Sequence, residues 1–287
     1  MEDGFNLSSA SNIPTPTLTI RPSSGWQAIN LPELWQFRDL LLSLAQRDIK
    51  LRYRQTALGV FWVVLQPLIA AIIFTFVFSK VAKLPAPNGI PYLVFAFAGM
   101  LAWNAFNSTL TKASMCLVGN AQLVSKVFFP RLVLPLSTVF STLLDFAVSL
   151  VVMALLMIVF HVAPHLSLLL LPIWLLLIVL LAVGIGLYAS ALMVSYRDIQ
   201  YVLPVATQFL LYASPVGYAL SVVPHRWQTL FALNPLTGLL EGFRWSLLGT
   251  GHPPVGMILY AAGVSVFVFA AGATAFKSME RKFADVI

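Results

Sequence analysis

Hydrophobic residues in this chain accumulate in blocks and do not alternate with polar ones. Stretches free of Asp, Glu, Lys and Arg cover Gln55–Ser79, Leu84–Thr111, Phe146–Tyr196, Ile199–His225 and Trp245–Phe276. A helix needs about 20 apolar residues to cross a hydrocarbon core. The pattern therefore predicts spans near Ala57–Ser79, Pro91–Thr111, Leu132–Phe160, Ser167–Val194, Tyr201–Val222 and Val255–Phe276. Phe146–Tyr196 is long enough for parts of two spans, with His161, Pro164 and His165 supplying the turn between them. Barrel strands would alternate apolar and polar residues, which these blocks do not. The expected fold is an all-α membrane protein with six transmembrane helices.

Two segments depart from the block pattern. Gln228–Leu248 is apolar but interrupted by Asn234, Pro235, Glu241 and Arg244. Broken backbone at membrane depth survives only where protein or water shields it, so a re-entrant hairpin before the last span is expected, with a seventh full span as the alternative. From Glu33 to Arg54, Leu34, Phe37, Leu41, Leu44 and Ala45 recur at helical spacing, while Gln36, Asp39, Ser43, Gln46, Lys50 and Arg54 follow another face. Such a helix is expected in the membrane interface with its apolar face in the acyl boundary. The chain thus divides into a flexible cytosolic leader (1–32), an amphipathic interface helix (33–54), a six-span domain (55–276) and a cytosolic tail (277–287). The leader, with Pro14, Pro16, Pro22 and Pro32, has no basic and then apolar region of the kind a cleaved signal carries.

Composition sharpens the class. Of 287 residues 59% are hydrophobic and 9% charged, against roughly a quarter charged in soluble domains. A formal charge of +7 could suggest nucleic acid, but in a membrane protein its placement among loops matters more, and no nucleic-acid partner is expected. Arg21, Arg38, Arg47, Lys50, Arg52, Arg54, Lys112, Lys126, Arg131, Arg197, Lys277, Arg281 and Lys282 fall on one side of the expected spans, and Lys80, Lys83, Arg226 and Arg244 on the other. The positive-inside rule then places both termini in the cytoplasm. The single cysteine, Cys116, excludes an intrachain disulfide.

Four local patterns carry a resemblance: RDIKLRYRQTALGVFWVVLQPL from Arg47, NAQLVSKVFFPRLVLPL from Asn120, YRDI from Tyr196 and NPLTGLLEGFR from Asn234. In that order the chain resembles the permeases of type-2 ABC exporters, and more narrowly those that export O-antigen, capsule and teichoic acid polymers. The resemblance runs from about Leu34 to Lys282. It implies a multi-pass protein of the bacterial inner membrane, working as a homodimer with two copies of a separate ATPase that holds ATP and Mg, and moving a lipid-linked polysaccharide. It also implies ATPase coupling through the loop around Asn120, Lys126 and Arg131 and a second contact at Arg197 and Asp198. Exporters of drugs or small lipids are the alternative within the superfamily. The chain has no GxxxxGK[ST] and no Gly-Lys pair, so it lacks the loop that cradles nucleotide phosphates and is expected to hold no cofactor of its own.

Polar residues inside the spans are the candidate chemistry. Ser137, Ser141, Asp145 and Ser149 recur every four residues, and Asn104, Asn107, Ser108 and Thr111 share a face. Close helix packing is the ordinary reading of the serines and of Gly186 and Ser190. An ionised Asp145 at mid-span costs at least about 2.5–3.5 kcal/mol, so it should face a partner or water. A hydrogen bond across helices is the favoured role. A proton-coupled carrier is the distant alternative, since the expected spans offer no second acid and no Lys or Arg to complete a relay. Asn104, Asn107, Ser141 and Asp145, with the rings of Phe106, Phe128 and Tyr212, are candidates for a translocation path. Arg47, Arg52 and Arg54 sit where a lipid diphosphate would lie and are candidates for its head group, because guanidinium groups grip phosphate oxygens in pairs. His161, His165, His225 and His252 fall in loops without metal-ligand spacing; neither a metal site nor an enzyme is expected.

Overall fold

The computed structural model describes residues 31–54, 59–84, 89–249 and 255–286. Most of the leader expected over 1–32 lies outside them. Among the described residues the regular structure is entirely helical, and five helices are long and apolar enough to cross a membrane. These are α3 (Gly59–Phe74), which continues as a π-helical turn over Thr75–Val81, α4 (Tyr92–Gly119), α6 (Val133–Val159), α7 (Leu171–Ser195, entered through a 3-10 turn at Leu166–Leu170) and α11 (Val255–Val286). Shorter helices are α1 (Leu31–Gln36), α2 (Arg38–Arg54), α5 (Ala121–Lys126), α8 (Ile199–Tyr212), α9 (His225–Leu233) and α10 (Pro235–Leu248). His161, with φ of 56°, lies in the turn between α6 and α7, where the sequence expects it.

The expected span Tyr201–Val222 is only half helical. At 14 residues α8 is about 21 Å long, short of the roughly 30 Å hydrocarbon core. Its stop is local chemistry: Ser214-Pro215-Val216-Gly217 follows, and Pro215 has no N–H to continue the ladder. The interrupted segment beyond it also resolves into two helices. Asn234 accepts a hydrogen bond from the Leu236 amide (3.0 Å) at the start of α10, with Pro235 in the first turn, and Gly249 closes that helix at φ 67°. Side-chain cap, early proline and left-handed glycine are standard helix boundaries.

α4 is the central helix. Val94, Ala96, Phe97, Ala98, Phe106, Ala113 and Leu117 are all fully buried along it, as expected of a helix apolar on every side. α3, α6, α7 and α10 pack against it, and α11 packs along α7. The α7–α11 contact is backbone on backbone: a Cβ added to Gly272 would stand 2.0 Å from the Gly184 carbonyl oxygen. Gly186 faces Ala113 of α4, and Ser190 is fully buried, so both serve packing.

The apolar face of α2 has a different destination from the acyl boundary expected for it. Leu44 and Ala45 are buried, and Leu34, Phe37, Leu40 and Leu41 pack against a core that includes Leu117, Val124, Phe129, Leu132, Phe276 and Phe283. Helical periodicity reports that a face is buried; it does not distinguish lipid from protein as the cover.

Candidate functional site

Four helices enclose a cavity of about 250 Å³. α2 contributes Arg52; α3 contributes Trp62, Val63, Gln66 and Pro67; α4 contributes Asn104, Asn107 and Ser108; α6 contributes Thr142, Asp145, Phe146 and Ser149. The four-residue stripe on α6 makes this possible. Ser137, Ser141, Asp145 and Ser149 are 1%, 4%, 7% and 6% exposed, so the whole polar row faces inward.

Asp145 is the ionic centre. One of its oxygens, Oδ2, accepts from the Lys112 ammonium at 3.0 Å and from the Arg52 guanidinium at 3.0 Å. Lys112 also donates to Ser141 Oγ at 2.9 Å. The carboxylate therefore joins α2, α4 and α6. The expected absence of a basic partner within the spans is corrected here, because α4 continues two turns past Thr111 and carries Lys112 inside the bundle. Lys112 was legible in principle: Asn104, Ser108 and Lys112 follow one another at four-residue spacing on the same helix face. Gln66 gave no such signal, standing alone in an apolar helix.

The other candidates separate into groups. Asn104, Asn107 and Asp145 line one cavity, with Ser141 bonded to its ionic centre. Phe106 is fully buried beside Trp103, whereas Phe128 (66% exposed) follows α5 and Tyr212 (61% exposed) ends α8; none of the three lines the cavity. Of the head-group candidates, Arg52 reaches the cavity, while Arg47 is held by Asp48 and by the Asn120 side chain, each at 2.8 Å. The Arg54 side chain lies outside the described residues. Among the coupling candidates Asn120 is thus tied to α2, and Arg131 donates to Glu280 of α11 from its backbone (3.3 Å) and stands over the Phe283 ring. Lys126, Arg197 and Asp198 are exposed.

A second ionic centre holds the broken segment. Arg244, 1% exposed, lies 3.1 Å from Glu241, as their three-residue spacing allows. It donates to the Pro215 carbonyl and, at 3.1 Å, to that of Tyr218, with its guanidinium 4.4 Å from the centre of the Phe95 ring. Glu241 in turn accepts from the Leu220 amide at 3.4 Å. The pair thus supplies hydrogen bonds to backbone that α8 leaves unpaired when it stops.

Five membrane-length helices, two of them joined through a buried ionic centre, define a multi-pass membrane protein. The chain belongs to the ABC-2 type transporter family, whose model matches residues 39–248. It is similar to an O-antigen export system permease protein, RfbA, of Klebsiella pneumoniae, with 30% identity over 257 residues covering 87% of this chain and 95% of the relative. The protein of the same name from Myxococcus xanthus is 30% identical over 257 residues, 89% of this chain and 98% of the relative. KpsM of Escherichia coli, a polysialic acid transport protein, is 27% identical over 207 residues, 69% and 77% of the two chains.

Proposed function

We propose that the chain is the permease subunit of an ATP-driven exporter that carries a lipid-linked polysaccharide such as O-antigen from the cytoplasm to the periplasm of a bacterium. The observation that carries this reading is 30% identity over 95% or more of two relatives named as O-antigen export permeases. Two copies of this chain and two copies of a separate ATPase make the working assembly. The ATPase holds ATP and Mg and docks near the exposed Lys126, Arg197 and Asp198, with Asn120 passing its motion to α2 through Arg47 and Arg131 passing it to α11 through Glu280. ATP acts on the permease only so far as the ATPase favours one permease state over another.

The basic end of the bundle faces the cytoplasm under this reading, and α1–α2 lie at the inner headgroup level with Arg52 turned to the lipid diphosphate. α8 and the 213–224 segment complete the fifth of six crossings, the second half in turns and a short 3-10 helix (Leu220–Val222) shielded by Arg244 and Glu241. α9 and α10 form the hairpin that enters and leaves on the periplasmic side. Reconstitution tests the proposal: vesicles holding the permease and its ATPase should move lipid-linked polymer on ATP addition, and the permease alone should hydrolyse no ATP. ATP-dependent movement of drugs or phospholipids, with none of polymer, would replace the substrate class.

A further inference from the structure

The cavity described above is polar in a chain that is mostly apolar, and its wall chemistry selects among ligands. Gln66, Asn104 and Asn107 bring amides, which donate and accept, Ser108 brings a hydroxyl, which does the same, and Thr142 and Ser149, whose protons go to the Thr138 and Asp145 carbonyls, bring hydroxyl oxygens that accept. The Asn107 side-chain oxygen is buried without a hydrogen-bond partner among the described residues, so it calls for a donor. Pro67 has no N–H to take up the carbonyl of Val63, and both residues line the cavity. Acceptor oxygens at Asn107 and Asp145 repel phosphate oxygens but suit hydroxyl groups. Trp62 and Phe146 add flat apolar faces. The volume equals about eight waters, the scale of one sugar ring and too small for a chain of them. Full charge is confined to Asp145 and Arg52, and Arg52 is 38% exposed, near the exposed Trp62 and Gln66.

We propose that this cavity is a saccharide site: it seats the single sugar residue next to the carrier lipid's diphosphate, while Arg52 at its mouth meets the phosphate. The proposal rests on the reading of the chain as an exporter of lipid-linked glycan. It goes beyond head-group recognition, because it makes the identity of the first sugar a condition of binding.

The test is equilibrium binding to the full-length permease in lipid nanodiscs. Two probes are compared: a polyprenyl diphosphate, and the same lipid carrying one hexose. The sugar-bearing lipid should bind at least tenfold more tightly. Asn107→Ala should abolish that preference while leaving the affinity for the bare diphosphate unchanged, and Arg52→Gln should weaken both probes together. Trp62→Ala, at the exposed rim where folding is not at stake, should reduce the preference severalfold. Equal affinity of the wild-type protein for the two lipids, the outcome for a cavity that holds water only, overturns the saccharide site and leaves diphosphate recognition standing. Failure of both lipids to bind overturns both. A preference that survives Asn107→Ala and Trp62→Ala unchanged places the sugar elsewhere and equally overturns the assignment.

Discussion

Lys112 of α4 and Asp145 of α6 are 33 positions apart in the chain and 3.0 Å apart in the fold. Their side chains are 21% and 10% exposed, so each charge is largely withdrawn from water. Removing one partner of such a pair leaves an uncompensated charge and costs about 3–5 kcal/mol, while replacing both with apolar residues is often close to neutral. In Lys112→Met the Arg52 guanidinium still faces Asp145, which lowers the figure expected for that change alone.

Asp145→Leu should therefore be the most damaging single change at this centre, and Lys112→Met/Asp145→Leu should recover part of the loss, with a coupling of about 0.5–3 kcal/mol. Cys116 is buried and is the only cysteine of the chain, so its labelling by a thiol-reactive dye on heating reports unfolding directly. Strict additivity of the two single changes would show that Lys112 and Asp145 do not depend on one another.

Gly272→Ala should destabilise by about 1–3 kcal/mol, the usual range for overpacking a close contact. Its new methyl would meet the Gly184 carbonyl oxygen on α7, and backbone has little room to yield. Gly263→Ala on the same helix meets nothing within 4 Å, and by helix propensity should be neutral or slightly stabilising. Equal melting temperatures for the two variants would contradict the close approach of α7 and α11.

How much of this was legible follows from what periodicity and block length record. The long apolar blocks marked five membrane-length helices, and the polar row on α6, read as one stripe, lies on one buried face, because four-residue spacing fixes a face whatever covers it. The end of α4 was misread at Thr111, since a charge was taken as a boundary when a carboxylate 33 positions away accommodates it. α8 was extended to Val222 because hydropathy counts apolar residues and does not notice that Pro215 and Gly217 stop a helix among them. Phe106 and Asn107 are adjacent in the chain, but the helix turns one into the core and the other toward the cavity. The Glu241–Arg244 pair was legible from spacing alone; its role in closing the broken segment was not, because the carbonyls of Pro215 and Tyr218 lie more than twenty positions away.

Arg244→Met should be severely destabilising, by about 3–5 kcal/mol, as it strips the carbonyls of Pro215 and Tyr218 of their donor and leaves Glu241 without its cation. Arg244→Lys keeps the charge but loses the planar fork that serves two carbonyls and a carboxylate together. It should fall between wild type and Arg244→Met in the same Cys116 labelling measurement. Wild-type stability of Arg244→Lys would mean that charge alone holds the segment.

The proposed orientation can be checked with single cysteines in a Cys116→Ala background. Replacements at Leu166, in the turn before α7, and at Arg226, in α9, should both react with a membrane-impermeant reagent added outside the inner membrane. Replacements at Lys126 and Arg197 should react only after the membrane is opened. Reaction of Arg226→Cys and Leu166→Cys from opposite sides would show that α8 and the 213–224 segment do not complete a crossing, and would remove the fifth of the six proposed spans.

Arg47 and Arg52 lie five positions apart on α2 and have different surroundings. Arg47 is occupied by Asp48 and the Asn120 amide oxygen, contacts that fasten α2 to the end of α4. Arg52 shares Asp145 with Lys112 and stands at the edge of the polar cavity. A lysine at either position keeps the positive charge that favours the inner membrane surface, so anchoring and topology predict that Arg→Lys is harmless at both. Recognition of a diphosphate predicts a difference, because lysine offers a point charge where arginine offers a planar fork. Arg52→Lys should lower polymer export and substrate-stimulated ATPase activity severalfold at normal levels of inserted protein. Arg47→Lys keeps a donor for the Asn120 amide oxygen that ties α2 to the end of α4, so it should leave export per folded permease near wild type and show its effect, if any, in the thermal accessibility of Cys116. Wild-type export by Arg52→Lys would reduce the cluster to an anchor, and a larger export defect in Arg47→Lys than in Arg52→Lys would move the head group along α2 to Arg47, beside Asn120.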